Sequence, residues 1–391
     1  MFLLFVASCA KLLERNVEIE SEDFARKNMK IVIVGGGMQG RVIAENLICR
    51  PEEPDVVVVD ITKPDKLPDG VGFKQASVLD ETQAKQEVKD ADAVILAVPS
   101  GISHVALLNL INAGRPIVDV SFTPDPPLEF SAAAKATGAC CVVDCGISPG
   151  LSNILLGRAI AELGGADSLK ILVGGLPQDP PPIFRHAVYF NPNDLIAEYI
   201  RPARARKAGL NVAPLPLDVP EVCHVDSELG ALELFVSDGL RSLLTSYPDV
   251  RDMAELTIRW PGHLQTMKTL RELGLFDEPV ASGAIAKVLL DRYPAHQYPD
   301  YLLLLIEVRR QDKYRSWRLL DRCTSGVSAM SRTTGFTTAA VAMLLARKQF
   351  TKPGVHPPER LGAETNLAQL VVDDLAERGI NVMELADVTA R

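Results

Sequence analysis

Lys30-Ile31-Val32-Ile33-Val34-Gly35-Gly36-Gly37-Met38-Gln39-Gly40 is the stretch whose reading decides the fold. Its first five residues are mostly β-branched and apolar, as in a short buried strand, and a GxGxxG spacing follows at once. Gly35 permits a tight turn, Gly37 lets the backbone approach a pyrophosphate, and Gly40 lets the next helix pack closely on the strand. That helix offers its unpaired N–H groups and positive dipole end to phosphate, with Met38 and Gln39 on the contact loop. Twenty residues past Gly40, a second apolar run ends in Asp60. A carboxylate there accepts hydrogen bonds from both ribose hydroxyls and repels a 2′-phosphate, so NAD is the expected cofactor. Lys63 and Lys66 lie close enough to keep NADP as the alternative.

The same texture repeats outward from this motif. Strands are expected at Lys30–Val34, Val56–Asp60, Gly72–Ala76, Ala93–Ala97, Pro116–Asp119 and Cys141–Asp144, with helices such as Arg41–Cys49 and Ser103–Ala113 between them. Apolar strands alternating with helices indicate a parallel sheet covered on both faces. The fold class is therefore α/β, a Rossmann-type doubly wound sheet over residues 29–150. Ligands of such sheets bind at the carboxyl ends of the strands. That rule places Ser77 and Val78 by the adenine, and Ala97, Val98, Pro99 and Ser100 under the second ribose. Asp119, Ser121 and Asp144 then flank the nicotinamide. Asp119 and Asp144 become catalytic candidates, or holders of a substrate ammonium, though each equally reads as a turn or capping residue.

After Gly150 the pattern changes. A helix is expected at Leu151–Leu163, then strands at Leu169–Val173, Arg185–Phe190, Leu232–Val236 and Glu255–Trp260, with a hairpin of Tyr301–Arg309 and Tyr314–Asp321. Strands that follow one another without helices indicate a mixed or antiparallel sheet. Residues 151–333 thus read as an inserted α+β domain. Helices Thr334–Phe350 and Leu367–Glu377, within residues 334–391, are expected to return to the first domain. At the other end, residues 1–28 read as an extension outside the fold. MFLLFVASCA imitates a signal sequence, but no basic residue precedes its short apolar stretch.

Composition narrows the function. The 391 residues suffice for two domains, and 47% hydrophobic with 23% charged residues is the mix of a globular protein. A net charge of −9, from 41 basic and 50 acidic residues, argues against a nucleic-acid partner. No apolar run reaches the ~18–20 residues of a membrane span, so no membrane partner is expected. Seven cysteines without a CxxC pair suit neither a disulfide framework nor a zinc site. No metal and a cytoplasmic location are the corresponding expectations.

Several segments together resemble the saccharopine dehydrogenase-like oxidoreductases, and within them the L-lysine 6-dehydrogenases. They are IVIVGGGMQG from Ile31, VDVSF around Asp119, DCGISPGLSN from Asp144, EYIRPAR from Glu198, SDGLRSLL from Ser237, IRWPGHLQTMKTLRELGLF from Ile258 and GVHPPERLG from Gly354. The resemblance implies that the inserted domain binds substrate and builds a homodimer. It also implies nicotinamide-linked chemistry at a C–N bond of a small amino acid, namely oxidation of the lysine ε-amine to a semialdehyde. The chain departs from the family pattern at Tyr189-Phe190-Asn191-Pro192-Asn193-Asp194 and at Phe235-Val236-Ser237. The resemblance sets both stretches, Tyr189 included, against substrate.

Such chemistry needs an acid–base group and a receptor for the α-carboxylate. His263, in an Arg-Trp-Pro-Gly-His turn, is the first acid–base candidate, ahead of His186 and His104. It fits equally a histidine that satisfies a turn carbonyl. Arginine suits the carboxylate, with Arg241 and Arg259 before Arg201. Trp260 and Cys145 read as packing. Two alternatives stand beside lysine oxidation: a reductive condensation of the saccharopine or carboxynorspermidine dehydrogenase type, and a non-catalytic NAD(P)-binding sensor. The number of arginines free in the cleft separates the first of these from a lysine enzyme.

Overall fold

A strand, a glycine turn and a helix open the computed structural model, which describes residues 29–123, 127–218 and 221–385. The N-terminal extension lies outside the described residues. The first unit comprises β1 (Lys30–Val34), α1 (Met38–Ile48), β2 (Asp55–Asp60), β3 (Gly72–Gln75), α2 (Glu81–Val88), β4 (Ala93–Leu96), α3 (Ser100–Ile111), β5 (Ile117–Asp119), α4 (Ser131–Thr137) and β6 (Cys140–Val142). Helix α5 (Leu151–Leu163) leads into the second unit: β7 (Ser168–Pro177), α6 (Pro192–Ile200), β8 (Ala205–Lys207), β9 (Leu210–Val212), β10 (Glu221–Asp226) and β11 (Gly230–Val236). It continues with α7 (Leu243–Ser246), β12 (Asp252–Arg259), α8 (His263–Glu272), α9 (Pro279–Arg292), β13 (Asp300–Arg310) and β14 (Lys313–Arg322). The chain closes with α10 (Ala329–Ala346), β15 (Gly354–His356), α11 (Pro358–Gly362), α12 (Leu367–Glu377) and β16 (Val382–Leu385).

The first sheet is parallel, in the order β15-β6-β5-β4-β1-β2-β3. Apart from the exposed edge strand β3, its strands are largely apolar on both faces because α1, α10 and their neighbours cover one side and α2, α3 and α4 the other. The order reverses beside β1, so the glycine turn after β1 opens into the crevice where this topology takes its ligands. β15 was not among the expected strands. Three residues are too few to show a period, yet buried Val355 and pairing to Cys141 extend the sheet by one edge strand.

The second sheet is mixed, in the order β10-β11-β12-β7-β13-β14-β16, with the β8–β9 hairpin on β12. Only β7 and β12 pair in parallel; their neighbours are antiparallel. The sheet curls until Asp226, at the end of β10, accepts Arg318 Nε of β14 at 2.6 Å. That curl encloses Leu172, Leu176, Leu232, Leu234, Ile258 and Leu303. The last strand, β16, pairs with β14, so the tail ends on the second sheet after α10 and β15 have joined the first.

The expected strand Arg185–Phe190 is absent. Arg185 takes a left-handed φ of +56°, and the segment forms a single bridge, Val188 to Pro294. Phe184, His186, Val188 and Tyr189 are all buried. With α6, α8 and α9 packed around the segment, its side chains are claimed on both alternations. The helix expected at Thr334–Phe350 instead begins at Ala329, because the Ser328 hydroxyl caps it from 3.1 Å.

One hydrophobic core runs from Ile31 and Ile33 through α5 and α10 to Ile171, Leu304 and Trp317. The two units therefore share packing, and they also meet along the carboxyl edge of the parallel sheet, where Asp144–Arg241 and Ser148–Glu255 contacts join them; by topology the ligand cleft lies along that seam.

Candidate functional site

At the glycine turn, each residue has a separate job. Gly35 has φ +105°, and a Cβ there would stand 2.2 Å from the Ala97 carbonyl oxygen. A Cβ on Gly40 would meet the Gly35 carbonyl oxygen at 1.9 Å. Both glycines are required by backbone packing alone. Gly37, the N-cap of α1, is different: nothing lies within 4 Å of where its Cβ would be. The open cradle at a helix N-terminus fits a dinucleotide pyrophosphate. Met38 beside it is 44% exposed, and buried Gln39 Oε1 has no hydrogen-bond partner. Asp60 accepts the Gly36 N–H at 2.7 Å and the Thr62 N–H at 3.2 Å, which fixes its carboxylate at the end of β2 with lone pairs left for ribose.

The neighbouring strand ends are stapled to one another. Val98 N–H donates to Ser121 Oγ at 3.2 Å, and Ser121 N–H donates to Asp119 Oδ1 at 2.8 Å. Pro99 caps α3, and Ser100 opens it. Val78 is buried, and its carbonyl accepts Asn109 Nδ2. The Ser77 N–H is taken by Gln83. Asp119, expected beside the reacting atoms, has no exposed surface. Burial pushes its carboxyl up to about 8, with the Asp144 charge adding and the Ser121 N–H opposing. Its Oδ2 is buried without a hydrogen bond. Asp119 thus braces the β4 and β5 loops from behind rather than meeting substrate.

Asp144 is held by Arg241, whose Nε and Nη2 reach its two oxygens at 3.1 and 3.0 Å. Arg241 Nη2 also donates to the Thr123 carbonyl at 2.8 Å, and the guanidinium lies 4.3 Å from the Phe122 ring centroid. Arg259 is buried: Nε donates to Tyr199 Oη and Nη2 to Glu198. Arg204, which the sequence analysis does not single out, grips Asp238 with two parallel bonds of 2.7 and 2.9 Å. Arg201 is in a different position. Its Nε lies 3.2 Å from Asp238 without hydrogen-bond geometry, and the guanidinium rests 5.1 Å from the Phe122 centroid. Among the described residues, Arg201 is the one of these four arginines whose guanidinium makes no hydrogen bond. Arg241 and Arg259, expected ahead of Arg201, are already hydrogen-bonded to Asp144 and Glu198, whereas the Arg201–Asp238 ion pair adds no hydrogen bond.

His263 is fully buried at the start of α8. Its Nδ1 lies 2.6 Å from the Phe184 carbonyl, which can only accept, so Nδ1 carries the proton. Nε2 must then accept from Tyr199 Oη at 2.8 Å, while that oxygen accepts Arg259 Nε at 2.9 Å. Burial, with the Arg259 charge next, drives the imidazole down to about 3. A neutral ring with both nitrogens committed orients Tyr199 and Arg259; it does not titrate as an acid–base catalyst. The turn-carbonyl reading of His263 is the one that fits. Tyr189 is also buried, with its hydroxyl on the Tyr298 carbonyl at 3.1 Å, and does not face the cleft as expected. His186 is buried beside His263, and Arg259 and burial together hold it neutral.

The cleft holds more acids than the sequence analysis names. Glu198 and Asp194 on α6 are both raised by burial, against the pull of Arg259 and Arg201 respectively. Glu255 on β12 is buried and accepts Ser148 Oγ at 2.7 Å and Ser237 Oγ at 3.1 Å. Glu198, Arg204, Asp238 and Ser148 all fall inside the segments that carry the family resemblance. Glu255 lies in an ordinary alternating strand, and no local signal marks it. Cys145 and Trp260 pack as expected: the thiol is buried, and burial pushes it well above its ordinary value. Trp260 Nε1 donates to the Pro177 carbonyl.

A family model described as the saccharopine dehydrogenase C-terminal domain matches residues 146–380, more than half of the chain. The chain belongs to the saccharopine dehydrogenase family. Apo saccharopine dehydrogenase (L-Glu forming) from Saccharomyces cerevisiae is similar in structure, with a TM-score of 0.75 and 15% identity over 92% of this chain and 100% of that one. That likeness establishes the shared fold. A diaminopimelate (DAP) dehydrogenase of C. glutamicum, solved with DAP, gives a TM-score of 0.45 and 13% identity over 90% of this chain and 99% of that one. Among the described residues, no helix is long and apolar enough to cross a membrane.

Proposed function

We propose that the protein is a nicotinamide-dependent dehydrogenase that oxidises the side-chain amine of an amino acid carrying one carboxylate, with the L-lysine ε-amine as the leading substrate and NAD as the cofactor. The observation that carries this reading is the disposition of the arginines. Arg241, Arg204 and Arg259 are hydrogen-bonded to Asp144, Asp238 and Glu198, whereas Arg201 is ion-paired at 3.2 Å with an Asp238 that Arg204 already grips. Of these four among the described residues, Arg201 is the one that donates no hydrogen bond, which leaves it the best able to turn to a substrate carboxylate. A saccharopine-type secondary amine bears several carboxylates and would need several free arginines. The acid-rich remainder of the cleft, with Asp194 and Glu198 on α6, suits a substrate whose other end is an ammonium.

Gly37 and the α1 N-terminus would hold the pyrophosphate, and Asp60 the ribose. A bound nicotinamide supplies the two-electron acceptor. The chain supplies orientation: Asp119, Ser121 and Val98 brace the loops under the ring, and Arg201 over Phe122 anchors the carboxylate. The inserted domain is also proposed to carry the dimer contact that the family resemblance implies.

The test follows reduced nicotinamide by absorbance with NAD or NADP against L-lysine, diamines, other amino acids and saccharopine. Turnover of lysine is expected, with Arg201→Met raising KM about 10- to 100-fold, the loss of a charge-assisted hydrogen-bonded pair. Turnover of saccharopine in place of lysine would move the assignment to the condensing branch. Nicotinamide binding without any turnover would support a sensor.

A further inference from the structure

We propose that Ser148 and Glu255 form the proton exit of the amine site. In this arrangement the partly exposed Ser148 hydroxyl touches the substrate nitrogen and hands a proton to the Glu255 carboxylate behind it. The inference rests on the dehydrogenase reading above and extends it to a pair of residues on different units of the fold.

Ser148 lies in the loop that leaves β6 at the carboxyl edge of the first sheet. Two residues earlier in that loop, Gly146 packs against Val120 and Thr334, where the nicotinamide belongs by topology. Ser148 Oγ donates to Glu255 Oε2 at 2.7 Å and lies 3.0 Å from Ser152 Oγ. Ser237 Oγ holds the other oxygen, Oε1, at 3.1 Å. The carboxylate sits in the space left by Gly239, where a Cβ would stand 1.8 to 2.1 Å from its atoms. It is thus fixed in place and buried, and Ser148 is its link to the cleft.

The charges that face Glu255 are Glu198 of α6 and Asp238 after β11, both anionic. The nearby arginines are already paired with those two acids, Arg259 with Glu198, and Arg204 and Arg201 with Asp238. Among the described residues Glu255 has no ion-pair partner. A carboxylate kept purely for structure gains nothing from this setting, since an uncharged amide could accept from the serines without the cost of burying a charge. A proton acceptor gains a great deal: burial first, then the two anions, push the carboxyl up to about 7 against the pull of the two hydroxyls.

The balance of the step is simple. A substrate ammonium must lose one proton before its carbon can be oxidised. The N–H proton passes to Ser148 Oγ as the Ser148 hydroxyl proton passes to Glu255 Oε2, so the amine becomes neutral and the carboxylate becomes an acid. The C–H bond of the amine carbon then breaks, its hydrogen and electron pair pass together as hydride to the oxidised nicotinamide dinucleotide, and water converts the resulting iminium to aldehyde and ammonium. The overall reaction releases one proton, and Glu255 is its first holder.

The test uses the full-length protein with NAD and L-lysine, or whichever amine of the panel it turns over. Glu255→Gln and Ser148→Ala are each expected to lower kcat about 100-fold, the scale of a lost acid–base contribution. Both should abolish the rise in rate as pH passes about 7, and both should leave NAD affinity by calorimetry within about twofold. Ser237→Ala, which removes the hydroxyl that holds the other carboxylate oxygen, should move that rise to higher pH without abolishing it. A readout independent of turnover is amine binding in two buffers of different ionisation enthalpy. At pH 7, part of the Glu255 population already holds a proton that must leave before the ammonium can pass on its own, so wild type should release a fraction of a proton on binding and Glu255→Gln none. A Glu255→Gln enzyme with wild-type rate and pH profile would overturn the relay alone. A wild type that binds NAD but oxidises no amine would overturn the dehydrogenase reading and the relay with it.

Discussion

Replacing Arg241 with alanine separates a substrate-binding arginine from one that holds the fold together. Arg241 and Asp144 are 6% and 4% exposed at the side chain, joined by two bonds of 3.1 and 3.0 Å. The third bond, to Thr123, and the Phe122 ring face add to what alanine removes. Breaking a buried pair by deleting one partner costs about 3–5 kcal/mol, because the other charge is left without a counterion. Against a domain stability of about 5–15 kcal/mol, that is a large fraction. Urea unfolding should therefore show Arg241→Ala destabilised by about 3–5 kcal/mol at pH 8. Arg241→Ala combined with Asp144→Asn should recover part of the loss. Unchanged stability of Arg241→Ala, with only KM for the amino acid raised, would refute this account and return Arg241 to the substrate.

The two glycines of the turn should part company. Gly37→Ala should fold with no more than about 1 kcal/mol lost at the helix cap, yet lose at least about tenfold in NAD affinity by calorimetry, whereas Gly40→Ala should unfold or misfold outright because its Cβ meets the Gly35 carbonyl oxygen. His263→Gln should leave the pH–rate profile in place and lower the melting temperature, since the ring only bridges Phe184 and Tyr199. Glu255 makes stability itself depend on pH. Its carboxyl is raised from 4.5 to about 7 in the folded protein, so the native state holds the proton more tightly than the unfolded chain and stability falls as pH rises between those values. The fall attributable to Glu255 is about 3 kcal/mol and should appear as the difference between wild type and Glu255→Gln when urea melts at pH 5 and pH 8 are compared.

The first unit was legible because each of its constraints is local. The β1 strand, the glycine spacing, the α1 helix and Asp60 lie within about thirty consecutive residues, and apolar strands alternating with helices admit few other arrangements. β15 and the β8–β9 hairpin escaped because three-residue strands carry no period and, unlike β5 and β6, these stand outside the strand–helix alternation of the first unit. Arg185–Phe190 misled for the opposite reason: it has the composition of a strand, but the helices packed around it take its side chains on every side.

For the site, the sequence determined which residue types stand at the carboxyl edge of the parallel sheet, and that edge is where the structure places Asp60, Ser100, Ser121 and Asp144. Chemical identity alone made His263, Arg241 and Arg259 attractive. Tertiary structure decided their state, because a side chain's availability depends on partners distant in the chain. Asp144 claims Arg241 across 97 residues, Tyr199 claims His263 across 64, and Ser148 reaches Glu255 across 107. That Arg201 donates no hydrogen bond and that Glu255 is buried without an ion-pair partner among the described residues emerge only once those partners are assigned, since both follow from burial and pairing, which no single stretch of sequence contains.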